Sequence, residues 1–176
     1  MRRIVSYLTF PGIVVHEFAH AWACKRLGIR VRHVCYLRLG DPMGYVLHEA
    51  PAYAFQHIMV AVAPFFVSTL FALFFSLGGC FLARSPFFAE TRDVLALAGL
   101  WLGFSCALHA FPSSGDGDSL WLDVRSPDVN LFSKLLLVPV VGMIRLGQMG
   151  TRLWLDALFA LCVVALPPTL LLVITG

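Results

Sequence analysis

Charge is scarce in this chain. Asp, Glu, Lys and Arg make up 13% of its 176 residues, about half of the roughly 25% usual in soluble domains. The shortage is concentrated, since residues 50–83 hold no charged side chain and neither do residues 94–115. A helix crossing a bilayer needs about 20 apolar residues, and both stretches are long enough. With 59% hydrophobic residues, the composition excludes an ordinary water-soluble domain and predicts an all-α polytopic membrane protein. Paired cysteines are lacking too. The five present (24, 35, 80, 106 and 162) are odd in number and form no Cys-x-x-Cys. That excludes a disulfide framework and a thiolate zinc site and leaves them as small apolar fillers. The net charge of +3 is too modest to call for nucleic acid. There is no internal repeat or low-complexity tract, so residues 1–176 read as a single domain. No small-residue cleavage site follows the first apolar run, and that run is expected to be retained.

What is present divides into a handful of elements. A first helix is expected over 4–27, with Lys25 and Arg26 in its last turn and Gly28 as its stop. Pro11-Gly12 predicts a kink within it. Residues 30–49 are rich in β-branched and aromatic residues around the turn cluster Gly40-Asp41-Pro42-Met43-Gly44, which predicts a β-hairpin. Its edge could take up an extended peptide by strand addition. Further helices are expected over 52–77, bent or ended by Pro64 and Gly78-Gly79, and over 94–111, separated by a polar connection from Arg84 to Asp93. A loop at 112–118 follows. Leu135–Ile144 is too short an apolar run to span and predicts an interfacial or re-entrant helix over 131–150. A last span is expected over 152–175, bent at Pro167-Pro168. The total is four transmembrane helices. With the end of the first helix facing the cytoplasm, nine of the 13 basic residues fall on that side, as the positive-inside rule prefers.

The chemistry centres on His16-Glu17-Phe18-Ala19-His20. Within residues 4–24 Glu17 is the sole charged side chain. Histidines four apart stand on one face of a helix and can reach one metal ion. His-Glu-x-x-His on a helix is a zinc-protease signature, the glutamate acting as general base. A buried charge in lipid is unfavourable unless paired or metal-bound, which favours Zn²⁺ over a packing role. A catalytic zinc takes three protein ligands, and Asp116, Asp118 and Glu49 are the candidates for the third. Asp123, Asp128 and Asp156 have ordinary solvated or interfacial explanations. His109 can stabilise an oxyanion or orient substrate, or else simply close a helix by bonding a carbonyl. His48 reads as a surface residue or a gate, and His33 and His57 as structural.

These residues resemble the site-2 protease family of intramembrane zinc metalloproteases. The resemblance rests on His16-Glu17-x-x-His20 in a first helix, Ala63-Pro64 in the next, and His109-Ala110-Phe111-Pro112-Ser113 before an aspartate. It covers roughly residues 8–120. The family's Asn-x-x-Pro with an aspartate five residues after the proline is replaced here, since Gly117 occupies that position between Asp116 and Asp118. The closest likeness is to a compact branch with His-Ala-Phe-Pro-Ser and Gly-Tyr-Val-x-His segments, in which the ligand aligns with Asp116. The resemblance implies peptide-bond hydrolysis in or near transmembrane segments, with His16, His20 and Asp116 holding Zn²⁺, Glu17 as general base and His109 assisting. The partners would be a membrane-protein or membrane-peptide substrate and the bilayer itself. Two other readings use the same residues: a membrane metal-ion transporter or sensor, and an inactive scaffold that binds membrane segments.

Overall fold

The computed structural model describes residues 2–86, 90–127 and 129–175. Among them the chain forms seven helices and one hairpin: α1 (Arg2–Leu8), α2 (Phe10–Arg26), β1 (Val31–Cys35), β2 (Tyr45–His48), α3 (Ala54–Arg84), α4 (Arg92–Leu108), α5 (Ser114–Arg125), α6 (Leu131–Arg152) and α7 (Leu155–Thr175). The mostly helical class and the hairpin after the first helical segment are as expected. β1 and β2 pair antiparallel, with Cys35 opposite Tyr45 and Val34 opposite Val46. Gly28 ends α2 at φ +71°, a left-handed position that glycine adopts without strain.

Several boundaries differ from the sequence expectations. The helix expected over 4–27 is interrupted at Thr9, and Pro11 falls in the first turn of α2. A proline there loses no hydrogen bond, so it starts a helix rather than kinking one. The helix expected over 52–77 continues to Arg84, through Pro64 and Gly78-Gly79. Its 31 residues give a rod of about 46 Å. The helix expected over 94–111 closes at Leu108. The expected ligand loop 112–118 is mostly helical, because α5 begins at Ser114. The segment expected over 131–150 belongs to the 22-residue helix α6, which ends at Arg152 and is long and apolar enough to cross a membrane, in place of the interfacial or re-entrant element. Its apolar run continues past Lys134 and Arg145, whose long side chains can carry their charges outward.

Among the described residues three helices therefore meet the length and apolarity of a span: α3, α6 and α7, against the four expected. α2 and α4 have 17 residues each and fall short. The nine-to-four charge count assumed that residues 131–150 stay on one side, so it assigns no side to this arrangement. The connection expected between Arg84 and Asp93 lies partly outside the described residues, as does Asp128.

Packing sorts α3 into two stretches. Val60 and Ala63 meet Ala23 and Cys24 of α2, while Ala61 meets Leu120 of α5 and Leu137, Val141 and Ile144 of α6. Further along, Ala72 meets Cys106, Ala107 and Leu108 of α4 and Ala160 of α7. There the contact is made by small residues. A Cβ on Gly99 would lie 2.8 Å from Gly79 Cα, and one on Gly103 would lie 2.9 Å from the Ala72 carbonyl. Phe66, Leu70, Phe74 and Phe81 point outward, each at least 60% exposed. Small residues inside and large apolar ones outside is the pattern of helices packed in lipid, where close backbone approach replaces hydrophobic burial between helices.

Candidate metal centre

Two helix ends and one proline build the site. His16 and His20 lie one turn apart on α2, with their rings 4.9 Å apart at a steep angle. His16 Nδ1 lies 2.7 Å from the backbone carbonyl of His109, the residue that closes α4. A carbonyl at a helix C-terminus has no intrahelical donor, so it takes the His16 N–H. His20 Nδ1 lies 3.0 Å from the Val60 carbonyl. In an unbroken helix that carbonyl would accept from residue 64, but residue 64 is proline and has no N–H. Both histidines thus spend their Nδ1–H on a backbone acceptor and present Nε2 as a lone pair, as metal-bound histidines do.

Asp116 supplies the third group. It sits in the first turn of α5, where Ser113 Oγ accepts from its backbone N–H at 3.3 Å and its Oδ2 accepts from the Ser113 N–H and hydroxyl at 2.6 and 2.7 Å. This reciprocal cap occupies one carboxylate oxygen and aims the other. Oδ1 lies 3.2 Å from His20 Nε2, and Oδ2 lies 3.9 Å from His16 Nε2.

The two Nε2 atoms are 3.2 Å apart. With both rings neutral and their protons on Nδ1, two lone pairs and a carboxylate converge with no donor among them. A proton on His20 would satisfy its contact with Asp116 and leave His16 facing an N–H it shares. A metal ion satisfies all three groups. Ligands about 2.0–2.1 Å from a tetrahedral zinc lie roughly 3.3 Å from one another, close to two of the separations found. The buried His16–His20–Asp116 group can hold a metal ion, and its donor set fits zinc.

Glu17 is buried beside them, and among the described residues no hydrogen bond or ion pair ties down its carboxylate. It lines a cavity of about 570 Å³ together with His16, Gly44, His109, Ser113 and Gln148. The hairpin turn closes onto it, since a Cβ on Gly44 would lie 2.6 Å from Glu17 Cγ. One turn before His16, α2 and α4 touch so closely that a Cβ on Gly12 would lie 2.0 Å from the Ser105 carbonyl oxygen. Ser105 Oγ accepts from the Gly12 N–H and donates to the Thr9 carbonyl, both at 2.7 Å. This knits the α1–α2 break to α4.

The other candidates fall elsewhere. Asp118 pairs with Arg145 of α6, and Glu49 pairs with Arg32 at the surface at 3.4 Å. The His48 ring bonds the Glu49 carbonyl at 2.8 Å, and His33 packs against Tyr45. Asp156, expected to be solvated or interfacial, is 6% exposed and bidentate to Arg2 at 3.0 and 3.2 Å. His109 Nε2 lies 2.9 Å from Thr9 Oγ1, whose hydroxyl donates to the Val5 carbonyl at 2.8 Å. The His109 Nε2–H is therefore the donor to Thr9, and the neutral ring keeps no N–H for an oxyanion. Sequence reasoning missed Thr9, Ser105 and the Val60 carbonyl, although Pro64 marks the last of these. Comparison with protein-family models, curated proteins and solved structures found no match to this chain.

Proposed function

We propose that the chain is an intramembrane zinc metalloendopeptidase of the site-2 protease type, hydrolysing peptide bonds in or near transmembrane segments. One observation carries the reading: the donor atoms of His16, His20 and Asp116 lie within 4.8 Å of one another, beside the buried Glu17, whose carboxylate has no hydrogen bond or ion pair among the described residues. His16 and His20 through Nε2 and Asp116 through Oδ1 hold the ion. Zinc, when bound, lowers the pKa of a water toward 7 and polarises the scissile carbonyl. Glu17 takes the proton from the attacking water and passes it to the leaving amine. Its carboxylate is free to do so because no described residue engages it. His109 acts through its carbonyl, which fixes the His16 ring. The substrate is a membrane segment that unwinds locally, since an intact helix shields its own carbonyls, and the outward apolar faces of α3 meet the same lipid that such a segment occupies.

The test is Glu17→Gln in the purified full chain, with zinc content and cleavage of a membrane-inserted peptide both measured. Zinc should be retained while the rate falls about 10²–10⁴-fold, the usual contribution of a general base. Unchanged cleavage would remove Glu17 from the chemistry. A wild-type chain that binds zinc, cleaves nothing and moves the ion across vesicles would be a transporter instead.

A further inference from the structure

One turn of α3 reaches two of the three ligand positions. The Val60 carbonyl holds His20. Three residues earlier, on the same face, the buried His57 ring spans two side chains of α5. Its Nδ1 lies 2.6 Å from Asp123 Oδ2 and its Nε2 lies 3.1 Å from Ser119 Oγ. Ser119 Oγ in turn donates to the Asp116 carbonyl at 2.9 Å. Asp116, Ser119 and Asp123 follow the i, i+3, i+7 spacing of one helix face, and Leu120 on that face is fully buried. The ligand and both His57 partners therefore share the face that α5 turns to α3. An Asp–His–Ser chain also invites a nucleophilic role, but Ser119 donates its hydroxyl hydrogen to the Asp116 carbonyl rather than to the His57 ring, and His57 is buried. The geometry therefore speaks for alignment rather than chemistry. Apolar packing through Leu120 joins the two helices without fixing rotation, whereas the two directional bonds from His57, to Asp123 and Ser119, set the roll of α5.

We propose that His57 is the positioning residue for Asp116, fixing through Asp123 and Ser119 the rotation of α5 that aims the carboxylate at the two histidines. The inference rests on the reading of Asp116 as a metal ligand. On the far side Arg145 pairs with Asp118 and Gln148 Nε2 donates to the Ser113 carbonyl at 2.9 Å, so α6 holds α5 against the same alignment.

The experiment uses the full chain in detergent, with Co²⁺ absorption as the geometric readout and Zn²⁺ affinity from competition with a chelator. In His57→Leu the Co²⁺ spectrum should shift and Zn²⁺ affinity should fall about 10–100-fold, as for other outer partners of ligands, with helical content preserved. Asp123→Asn should move both readouts in the same direction, and adding it to His57→Leu should have little further effect, because both break one chain of bonds. If His57→Leu does not fold, Asp123→Asn and Ser119→Ala carry the test. A wild-type spectrum and affinity in the variants that fold overturns the proposal. Asp116→Ala separates the two levels: retained wild-type affinity there would mean that Asp116 is no ligand, whereas lost affinity there with unaltered His57 and Asp123 variants removes only the positioning role.

Discussion

α3 is one uninterrupted helix with two different neighbourhoods. Its first half, from His57 to Pro64, is joined to α2 and α5 by directional polar contacts: His57 to Asp123 and Ser119, and the Val60 carbonyl to His20. Its second half meets α4 through Gly79, Gly99 and Gly103 with hardly a side chain between the backbones, and there Ser76 Oγ donates to the Val164 carbonyl of α7 at 2.7 Å. The second half is held by shape, and any added volume disturbs it. The first is held by orientation, and it adjoins three side chains from two helices whose donor atoms lie within 4.8 Å of one another and could hold a metal ion. On the proposed reading one rod is a structural spine at one end and a ligand-setting template at the other, and the two roles should separate under mutation.

The largest effect is expected at the first half. Removing a ligand by Asp116→Ala or His20→Ala should lower Zn²⁺ affinity by more than the roughly 10–100-fold typical of an outer-shell change, with the helical content kept. Metal analysis after dialysis against a chelator checks it. In the metal-free state the thermal midpoint of His20→Ala should hardly respond, because the glycine contacts of α3 and α4 are untouched, whereas Asp116→Ala also loses the cap of α5. Full zinc retention in either variant would dissolve the distinction between the two ends.

The opposite break is Gly103→Leu. The new side chain would press on the Ala72 carbonyl, and overpacking of this kind is destabilising by about 1–3 kcal/mol. The thermal midpoint should fall, while the folded fraction binds Zn²⁺ with wild-type affinity. A specific loss of metal with an unchanged midpoint would show that the far half shapes the site after all.

The two halves also differ in how openly the sequence declares them. His16-Glu17-x-x-His20 is legible because its spacing and residue types jointly demand a metal face, and the hairpin because β-branched residues flank a turn cluster. Asp116 and Asp118 look equivalent by position. Ser113-x-x-Asp116 is a capping-box spacing, and that cap both starts α5 and aims Asp116, whereas Asp118 turns to Arg145. α6 is hard to read because Lys134 and Arg145 look like the ends of its apolar run, yet one of those charges is spent on α5. Gly99-x-x-x-Gly103 is present as a small-residue motif, but its partner Gly79 lies on another helix and pairing across helices has no local signature. His57 gives no hint of its partners, which lie more than 60 residues away.

The smallest predicted effect concerns the residue where the two demands on α3 meet. Pro64 is fully buried, and it withholds the N–H that would otherwise occupy the Val60 carbonyl. Pro64→Ala restores that N–H, so the carbonyl would be shared between the new backbone donor and His20. A carbonyl oxygen has two lone pairs, so His20 keeps a partner and loses only part of its hold. Zn²⁺ affinity should fall by less than about 10-fold, while the regained helix bond offsets the packing lost with the ring. Chelator competition and thermal unfolding on the same preparation read both sides. If the variant binds Zn²⁺ as tightly as the wild type, the proline is only tolerated by α3 and has no part in orienting His20. If it loses the ion entirely, the Val60 carbonyl governs the His20 ring more strongly than a shared acceptor allows.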